Sequence, residues 1–507
     1  MEGQAAVNVA TSRRFTRWEL SHAAISSRAT YFTLAVFVCF YFVSSLYIAA
    51  RRLFWYDEIV TVRVASLPAV TMIWDSLMHG ADGNPPGFFL LARAASKLPV
   101  ASEIGFRLPS ALALAATLLL TFDTARRLSN QTYGLIAAAL LSSTILPYYG
   151  YEARPYAAYC MLSALSLWTW ISYKDTDRKG TVIFGLTLFC AVAVHYYAVV
   201  LLVPYALWEL CQWRPGHRPS PKLWAGIGGA LLAMGILSRL MFSYATQFIA
   251  SFVTTPWAPS LTSLRGLWIE LFPNGLFLLV LLCLVLWRPN AQPVMTPRFS
   301  EGEAIGWLFL CIPLAGFFIA TIKTNAFLPR YFISMLPGVT IAFSACLWRN
   351  FRTSKAASVS IFLVLAAGGL VQELSAIRHP DEVGRYGQQS KVRNYLELQA
   401  ELQNEGKSYL VFSSSILHLE FSQYASNPAR CVLLLPTDPS RRTIQNRMEL
   451  NLTRDAPITV WDLDDLRRHA AEAALLEPRE DFLQELRQDG FQLVEREPKP
   501  KEVIYIY

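Results

Sequence analysis

Charge is scarce in this chain. Only 16% of the 507 residues are Asp, Glu, Lys or Arg, against about 25% in an ordinary soluble domain, so most of the chain does not face water. Histidine is scarcer still, with seven residues, and the eight cysteines form no CxxC pair and no Cys/His cluster at metal-ligand spacing. That pattern excludes a zinc site and a disulfide framework. Cys39, Cys160, Cys190, Cys211, Cys283, Cys311 and Cys346 lie in or at the edge of apolar runs, and Cys431 stands alone in a polar tail. The net charge is +8, but the cations are interleaved between apolar runs rather than massed in one patch. This is the pattern of a membrane protein obeying the positive-inside rule, and no nucleic acid partner is expected.

Apolar residues make up 53% of the chain, and the mean hydropathy is +0.32. About 20 apolar residues carry a helix across the hydrocarbon core. Runs suited to this lie at 31–50, 108–125, 133–150, 156–173, 181–197, 198–213, 223–243, 266–287, 304–322, 331–348 and 357–374. The first is too long for a signal-peptide core. The fifth and sixth are nearly continuous, so counts of ten to twelve are compatible with the pattern. Arg13, Arg14, Arg17 and Arg28 precede the first run and put a segment over residues 1–30 in the cytoplasm. With eleven spans, Arg126/Arg127, Lys174/Arg178/Lys179, Arg214/Arg218/Lys222, Arg288/Arg298 and Arg349/Arg352/Lys355 all fall on that same side. The stretch 51–107 and the tail then lie outside.

The chain divides into a membrane domain over 31–375 and a soluble domain over 376–507. In the tail, "SYLVFSS", "CVLLLP", "PITVWDL" and "KEVIYIY" have the β-branched and aromatic content of strands, separated by helical patterns at 388–405 and 463–488. That alternation predicts a small α/β domain. Asp462 and Asp464 resemble the DxD of nucleotide-sugar enzymes, although a polar start to the following helix accounts for them as well. "NLT" at 451–453 fits a glycosylation sequon and fits chance.

The outer loop 51–107 begins "RRLFWYDEIV". Two short apolar-sided stretches follow, on either side of Pro68, and predict helices lying in the interface. Asn84-Pro85-Pro86 predicts an extended return to the second span. Ionisable residues gather on the same side: Asp57, Glu58 and Arg107 in the loop, Glu152 and Arg154 in "YYGYEARPYAAY", His195 in "HYYA", and Lys323 and Arg330 in "IKTNAFLPRYF". Each has a plainer reading. Arg154, Lys323 and Arg330 also suit snorkelling to headgroups, His195 suits a satisfied interfacial histidine, and Asp57 suits a helix cap. Cations outside run against the positive-inside trend, however, and suit a lipid-linked phosphate. Transfer of a sugar from such a carrier turns a phosphodiester monoanion into a monoester approaching a dianion. Arg and Lys that meet the growing charge stabilise the transition state more than the ground state, and a facing carboxylate can deprotonate an acceptor hydroxyl. Arg330 and Lys323 are the expected phosphate contacts.

At these residues the sequence resembles a known family. "WYDE", "NPPGFFLL", "EIGFRLPSAL", "YEARPYA", "HYYA" and "LPRYFISMLP", in this order over residues 30–350, are similar to bacterial GT-C glycosyltransferases related to dolichyl-phosphate-mannose–protein mannosyltransferases and lipid A aminoarabinose transferases. The resemblance implies an α-helical polytopic GT-C-like membrane protein of about eleven spans in the bacterial inner membrane, its catalytic face and C-terminal α/β domain extracytoplasmic. It implies sugar transfer, with inversion, from a polyprenyl-phosphate-linked donor to an extracytoplasmic acceptor. Asp57 matches the family's catalytic acidic residue, and Arg330 and Tyr331 match a pair near the donor phosphate. Some relatives carry Lys or His where this chain has Asn84, which shifts the expected phosphate contact toward Lys323 and Arg330. Neither a cofactor nor a metal is called for. Two other readings remain open at this point: a transporter or flippase for a lipid-linked glycan, against which no internal repeat is found, and an O-antigen ligase or polymerase.

Overall fold

In a computed structural model of the chain, residues 27–216, 218–248, 258–273, 300–351, 355–382, 389–436, 444–452, 458–478, 480–495 and 503–506 are described. The expected cations Arg13, Arg14, Arg17, Arg288, Arg298 and Arg352, the part of the eighth expected span from 274 to 287, and Thr453 of the sequon lie outside them.

Helix α1 (Ser27–Arg51) holds neither proline nor glycine. After a non-helical link at 52–55 the chain forms α2 (Tyr56–Ala65) and α3 (Val70–Met78), separated at Pro68. The expected extended return after the proline pair is instead a third short helix, α4 (Gly87–Ala95), with Pro86 as its N-cap in helical geometry. Proline fixes φ near the helical value and lacks only an N–H that the first turn leaves unused, so the pair starts a helix. The second span, α5 (Ser102–Leu128), begins six residues before the apolar run at 108 and carries Pro109 inside it.

Among the described residues six helices are long and apolar enough to cross a membrane: Arg28–Arg51, Ser102–Leu128, Pro221–Ser243, Glu301–Thr324, Pro329–Trp348 and Ala356–Arg378. The expected run 133–150 is broken into α6 (Gln131–Ser142) and α7 (Leu146–Gly150). Pro147, in the first turn of α7, has no N–H to offer the Ser143 carbonyl, and the Ile145 amide turns to the Leu271 carbonyl, 3.1 Å away. Helices α8 (Tyr156–Ser172) and α9 (Arg178–Val194) have 17 residues each. The near-continuous runs 181–213 separate at His195, whose backbone is extended, into α9, a 3₁₀ helix (Tyr196–Leu201) and α10 (Leu202–Cys211). Then come α11 (Pro221–Phe248), α12 (Leu261–Leu271), α13 (Glu301–Leu308), α14 (Cys311–Ile319), α15 (Leu336–Phe351) and α16 (Lys355–Arg378). The break between α13 and α14 follows from Pro313, which offers Phe309 no N–H.

After α17 (Gln389–Asn404) the tail forms β1 (Tyr409–Phe412), α18 (Ser415–Ser422), β2 (Cys431–Leu434), α19 (Ile444–Leu452), β3 (Thr459–Trp461), α20 (Leu463–Arg468), β4 (Ala473–Leu476), α21 (Glu480–Gln488), β5 (Leu493–Glu495) and β6 (Val503–Ile506). They make one six-stranded sheet in the order β3-β2-β1-β4-β6-β5. The strands from β3 to β4 are parallel, and β6 is antiparallel to both its neighbours. The helical pattern read over 463–488 is therefore interrupted by β4. Ala-Ala-Leu-Leu favours helix by propensity, but β1 and β6 pair with it on either side and all four residues are buried, so packing overrides propensity. Asp462 accepts the Asp465 N–H at 2.8 Å and caps α20, which accounts for the DxD.

Helices α9 and α11 meet through glycines, as close-packed membrane helices do. A Cβ on Gly229 would overlap the carbonyl oxygen of Gly185, a backbone atom that cannot swing away. Gly229→Ala is expected to lower stability by about 1–3 kcal/mol, read as a fall in Tm in detergent. Gly235→Ala, where no atom lies within 4 Å, should leave Tm unchanged.

Candidate active site

The link 52–55 joins two helices where no ladder satisfies its backbone, so other groups must. Arg107, fully buried on α5, does much of this. Its guanidinium donates to the carbonyls of Ala49 (2.8 Å), Arg52 (2.7 Å) and Leu53 (3.0 Å), and to both carboxylate oxygens of Glu58 at 2.7 and 2.6 Å. Glu58 also accepts the Ala153 N–H at 2.7 Å and the Trp55 N–H at 3.3 Å. Burial alone would raise the Glu58 carboxyl, but Arg107, with Arg52 beside it, holds it below the ordinary carboxylate value. Glu58 and Arg107 are thus spent on each other and on the backbone, with no exposed surface.

One helical step away, and so about 100° around α2, Asp57 faces a different set. Trp55 is the N-cap of α2, so Asp57 has no capping duty. Its Oδ2 lies 3.5 Å from Arg330 Nη1 and 3.9 Å from Arg154 Nη2. The two arginines differ. Arg154 is fixed by Asp82 (2.7 Å), the Asp57 carbonyl (3.0 Å) and Thr61 Oγ1 (3.1 Å), and Asn84 holds Asp82 through its N–H and Nδ2 at 2.9 and 2.7 Å. Arg330, on the 3₁₀ turn Pro329–Met335, lies over the Tyr156 ring, and its buried Nε–H meets no acceptor among the described residues.

Tyr331 stacks on Tyr197 at 4.9 Å between ring centres and lies 5.2 Å from His195. His195 stacks on Tyr159 at 5.0 Å, receives the Tyr197 N–H on Nδ1 at 3.3 Å, and keeps a buried Nε2 with no partner among the described residues. Glu152 is buried 3.6 Å from Arg52, and burial pushes its carboxyl up to about 7 against the pull of that guanidinium. Beside this group opens a cavity of ≈ 630 Å³ lined by Trp55, Tyr148, Glu152, Arg330 and Glu373 among others. Arg330 therefore belongs both to the cavity wall and to the pair with Asp57.

The fold brings together Asp57, Arg154, Arg330, Tyr331 and His195, with Asn84 joining through Asp82 and Glu152 through the cavity. It does not bring in Lys323, which is exposed in the turn Ala320–Thr324 and makes no ion pair among the described residues. Asn325, at φ 48, turns the chain before it reaches Arg330. Asp82 and Glu373 went unremarked in the sequence. The Asp-Gly-Asn-Pro-Pro turn was a visible signal for Asp82, whereas Glu373 sits inside the last apolar run with none. Among the described residues no three His, Cys, Asp or Glu side chains are grouped to hold a metal ion.

Removing one partner of a buried ion pair costs about 3–5 kcal/mol. Arg107→Met is expected to lower Tm in detergent far more than Lys323→Met, because it strands Glu58 and three carbonyls. Equal Tm values would show that the link is held by other means.

Residues 83–238 match the family model described as dolichyl-phosphate-mannose-protein mannosyltransferase. No curated protein sequence matches the chain. Among solved structures, ArnT from Cupriavidus metallidurans bound to undecaprenyl phosphate aligns over 95% of this chain and 98% of its own, with 13% identity and a TM-score of 0.60. ArnT from the same organism in the apo state gives 95%, 98%, 12% and 0.61. Likeness at these identities speaks for the fold. This chain has a GT-C fold related to that of the protein mannosyltransferases and ArnT.

Proposed function

We propose that this protein is a membrane glycosyltransferase that moves a sugar, with inversion, from a polyprenyl-phosphate-linked donor to an extracytoplasmic acceptor. The observation that carries this reading is Arg330: a half-buried cation with an unspent Nε–H, at the meeting of the cavity and the Asp57 carboxylate. An anion is what such a group lacks, and the ArnT structure aligned above is bound to undecaprenyl phosphate.

In the reaction, the acceptor oxygen attacks the anomeric carbon while Asp57 takes the hydroxyl proton. The bond from that carbon to the phosphate oxygen breaks, and its electron pair leaves with the polyprenyl phosphate. Arg330 meets the charge that grows on the leaving group, so its contact strengthens toward the transition state. Arg154, held by Asp82 and Thr61, orients Asp57. Trp55 and the tyrosines of the cavity offer ring faces to a sugar. The alternating cationic loops support a cytoplasmic N-terminus, eleven spans, and an outer face that carries both the site and the tail. A reporter fused after Tyr507 should accordingly be active only outside.

The direct test incubates purified protein with a panel of polyprenyl-phosphate sugars and envelope acceptors and identifies the product by mass spectrometry. Failure with every donor would overturn the reading. Asp57→Asn keeps the shape of the side chain and removes its basicity, so it should bind donor normally and transfer at least ~100-fold more slowly. Near-normal turnover would show that another group takes the proton. Arg330→Ala should lower kcat and raise the donor KM together, and Arg330→Lys should recover only part, lacking the planar fork. Unchanged kinetics would return Arg330 to headgroup contact.

A further inference from the structure

The link before Asp57 has a second set of partners, from the far end of the chain. The Phe54 N–H donates to Tyr424 Oη at 2.7 Å and the Tyr56 N–H to Glu420 Oε1 at 2.8 Å, both on or just after α18. Arg63 reaches Ser422 Oγ at 3.2 Å, and Arg393 on α17 donates to the Arg51 carbonyl at 2.6 Å. Apolar packing interlocks the same surfaces: Leu53 packs into one core of the tail, while Leu419 and Leu452 belong to the apolar core of the membrane body. Tyr56 is the first residue of α2, so its N–H is among those the helix cannot satisfy itself. Glu58 accepts the N–H of the N-cap, Trp55, and the Tyr56 N–H is capped from outside the helix. Glu420, from 364 residues away, supplies that cap.

We propose that the C-terminal domain completes the active site, with Glu420 as the positioning residue that caps α2 and fixes the angle at which Asp57 is presented. The proposal rests on the reading of Asp57 as the base. The bond reaches the residue directly before Asp57, and Phe54, two residues earlier, is held by Tyr424, so the tail grips the backbone on which that carboxylate is mounted. Arg107 takes the Arg52 and Leu53 carbonyls of the same link, and the tail takes its Phe54 amide and the Tyr56 amide that follows it. Neither domain alone satisfies it.

Glu420 is 1% exposed, and its Oε2 has no hydrogen-bond partner among the described residues. The charged groups facing it are Arg52 at the end of the first span and Asp57 and Glu58 on α2. Helix α19 adds Glu449, which is paired with His418 and faces Tyr56 and Arg63. Burial pushes the Glu420 carboxyl up to about 8, with the Tyr56 N–H and Arg52 opposing and Asp57 and Glu58 assisting. A carboxyl whose folded value lies above its unfolded one favours the buried, folded state when protonated. Its contribution is complete below the unfolded value near 4.5 and is lost as pH rises through about 8. Glutamine reproduces the shape and the acceptor oxygen of the neutral carboxyl.

The test uses the full chain in detergent, with two readouts. Hydrogen exchange at the Tyr56 amide should accelerate about tenfold in Glu420→Ala and stay at the native rate in Glu420→Gln, the scale of one lost hydrogen bond. In transfer assays Glu420→Ala should lower kcat about tenfold with donor KM unchanged, the mark of a misplaced base rather than lost binding. Glu420→Gln should keep the neutral rate and lose the alkaline limb expected of the native protein near pH 8. Native exchange and native kcat in Glu420→Ala would overturn the proposal, as would an alkaline limb that persists in Glu420→Gln. Should the alanine variant fail to fold, Glu420→Gln and Tyr424→Phe carry the test, the latter expected to speed exchange at Phe54 alone. If the native protein transfers no sugar, the glycosyltransferase reading fails while the exchange result still decides whether the tail caps α2.

Discussion

A non-helical link at the mouth of a membrane domain has polar backbone groups and little water to satisfy them, and here one guanidinium settles most of that need. Arginine has five N–H donors in a rigid plane, and Arg107 spends all five: three on the carbonyls of Ala49, Arg52 and Leu53, two on Glu58. Lysine could not replace it, having three donors and no fork. Because Glu58 is fixed from one side by Arg107 and from another by the Ala153 amide, the first turn of α2 cannot rotate. Asp57 is then held about 100° away from that pair, toward Arg330. The orientation of the candidate base is therefore a consequence of where its neighbour is buried.

Much of this was legible in the sequence, for identifiable reasons. Hydropathy marks the long spans, because a helix in lipid needs a fixed length of apolar residues. It does not mark where such a run breaks, and so 133–150 reads as one helix although Pro147 and the Leu271 carbonyl divide it. Asp57, Arg154 and Arg330 stand out as charges beside apolar runs. Which of two adjacent carboxylates faces Arg330 follows from α2's rotation, set by contacts with Arg107 and Ala153, 49 and 95 residues away. The same long reach hid Glu420. Lys323 looked equivalent to Arg330 by its place in the loop, and a left-handed Asn325 between them separates their surroundings. In the tail, β4 was invisible because Ala and Leu carry no strand signal until neighbours flank them.

The two arginines near Asp57 then divide the work between them by how far each is already satisfied. Arg154 donates from Nη1 to Asp82, Thr61 and the Asp57 carbonyl at 2.7–3.1 Å, so this edge of its guanidinium is held in place although its Nε–H, too, meets no acceptor among the described residues, and Asn84 reinforces the arrangement from behind Asp82. Arg330 makes no bond of comparable quality: its contact with Asp57 at 3.5 Å is beyond hydrogen-bond range, and its Nε–H is unspent. A buried donor without an acceptor costs free energy, and an incoming phosphate oxygen relieves that cost while leaving Arg154 and Asp57 undisturbed. Preorganisation on one side and an open valence on the other make a site that is rigid about its base and receptive about its anion. That combination suits a reaction in which the donor arrives by lateral diffusion in the bilayer and the new charge appears on the leaving phosphate.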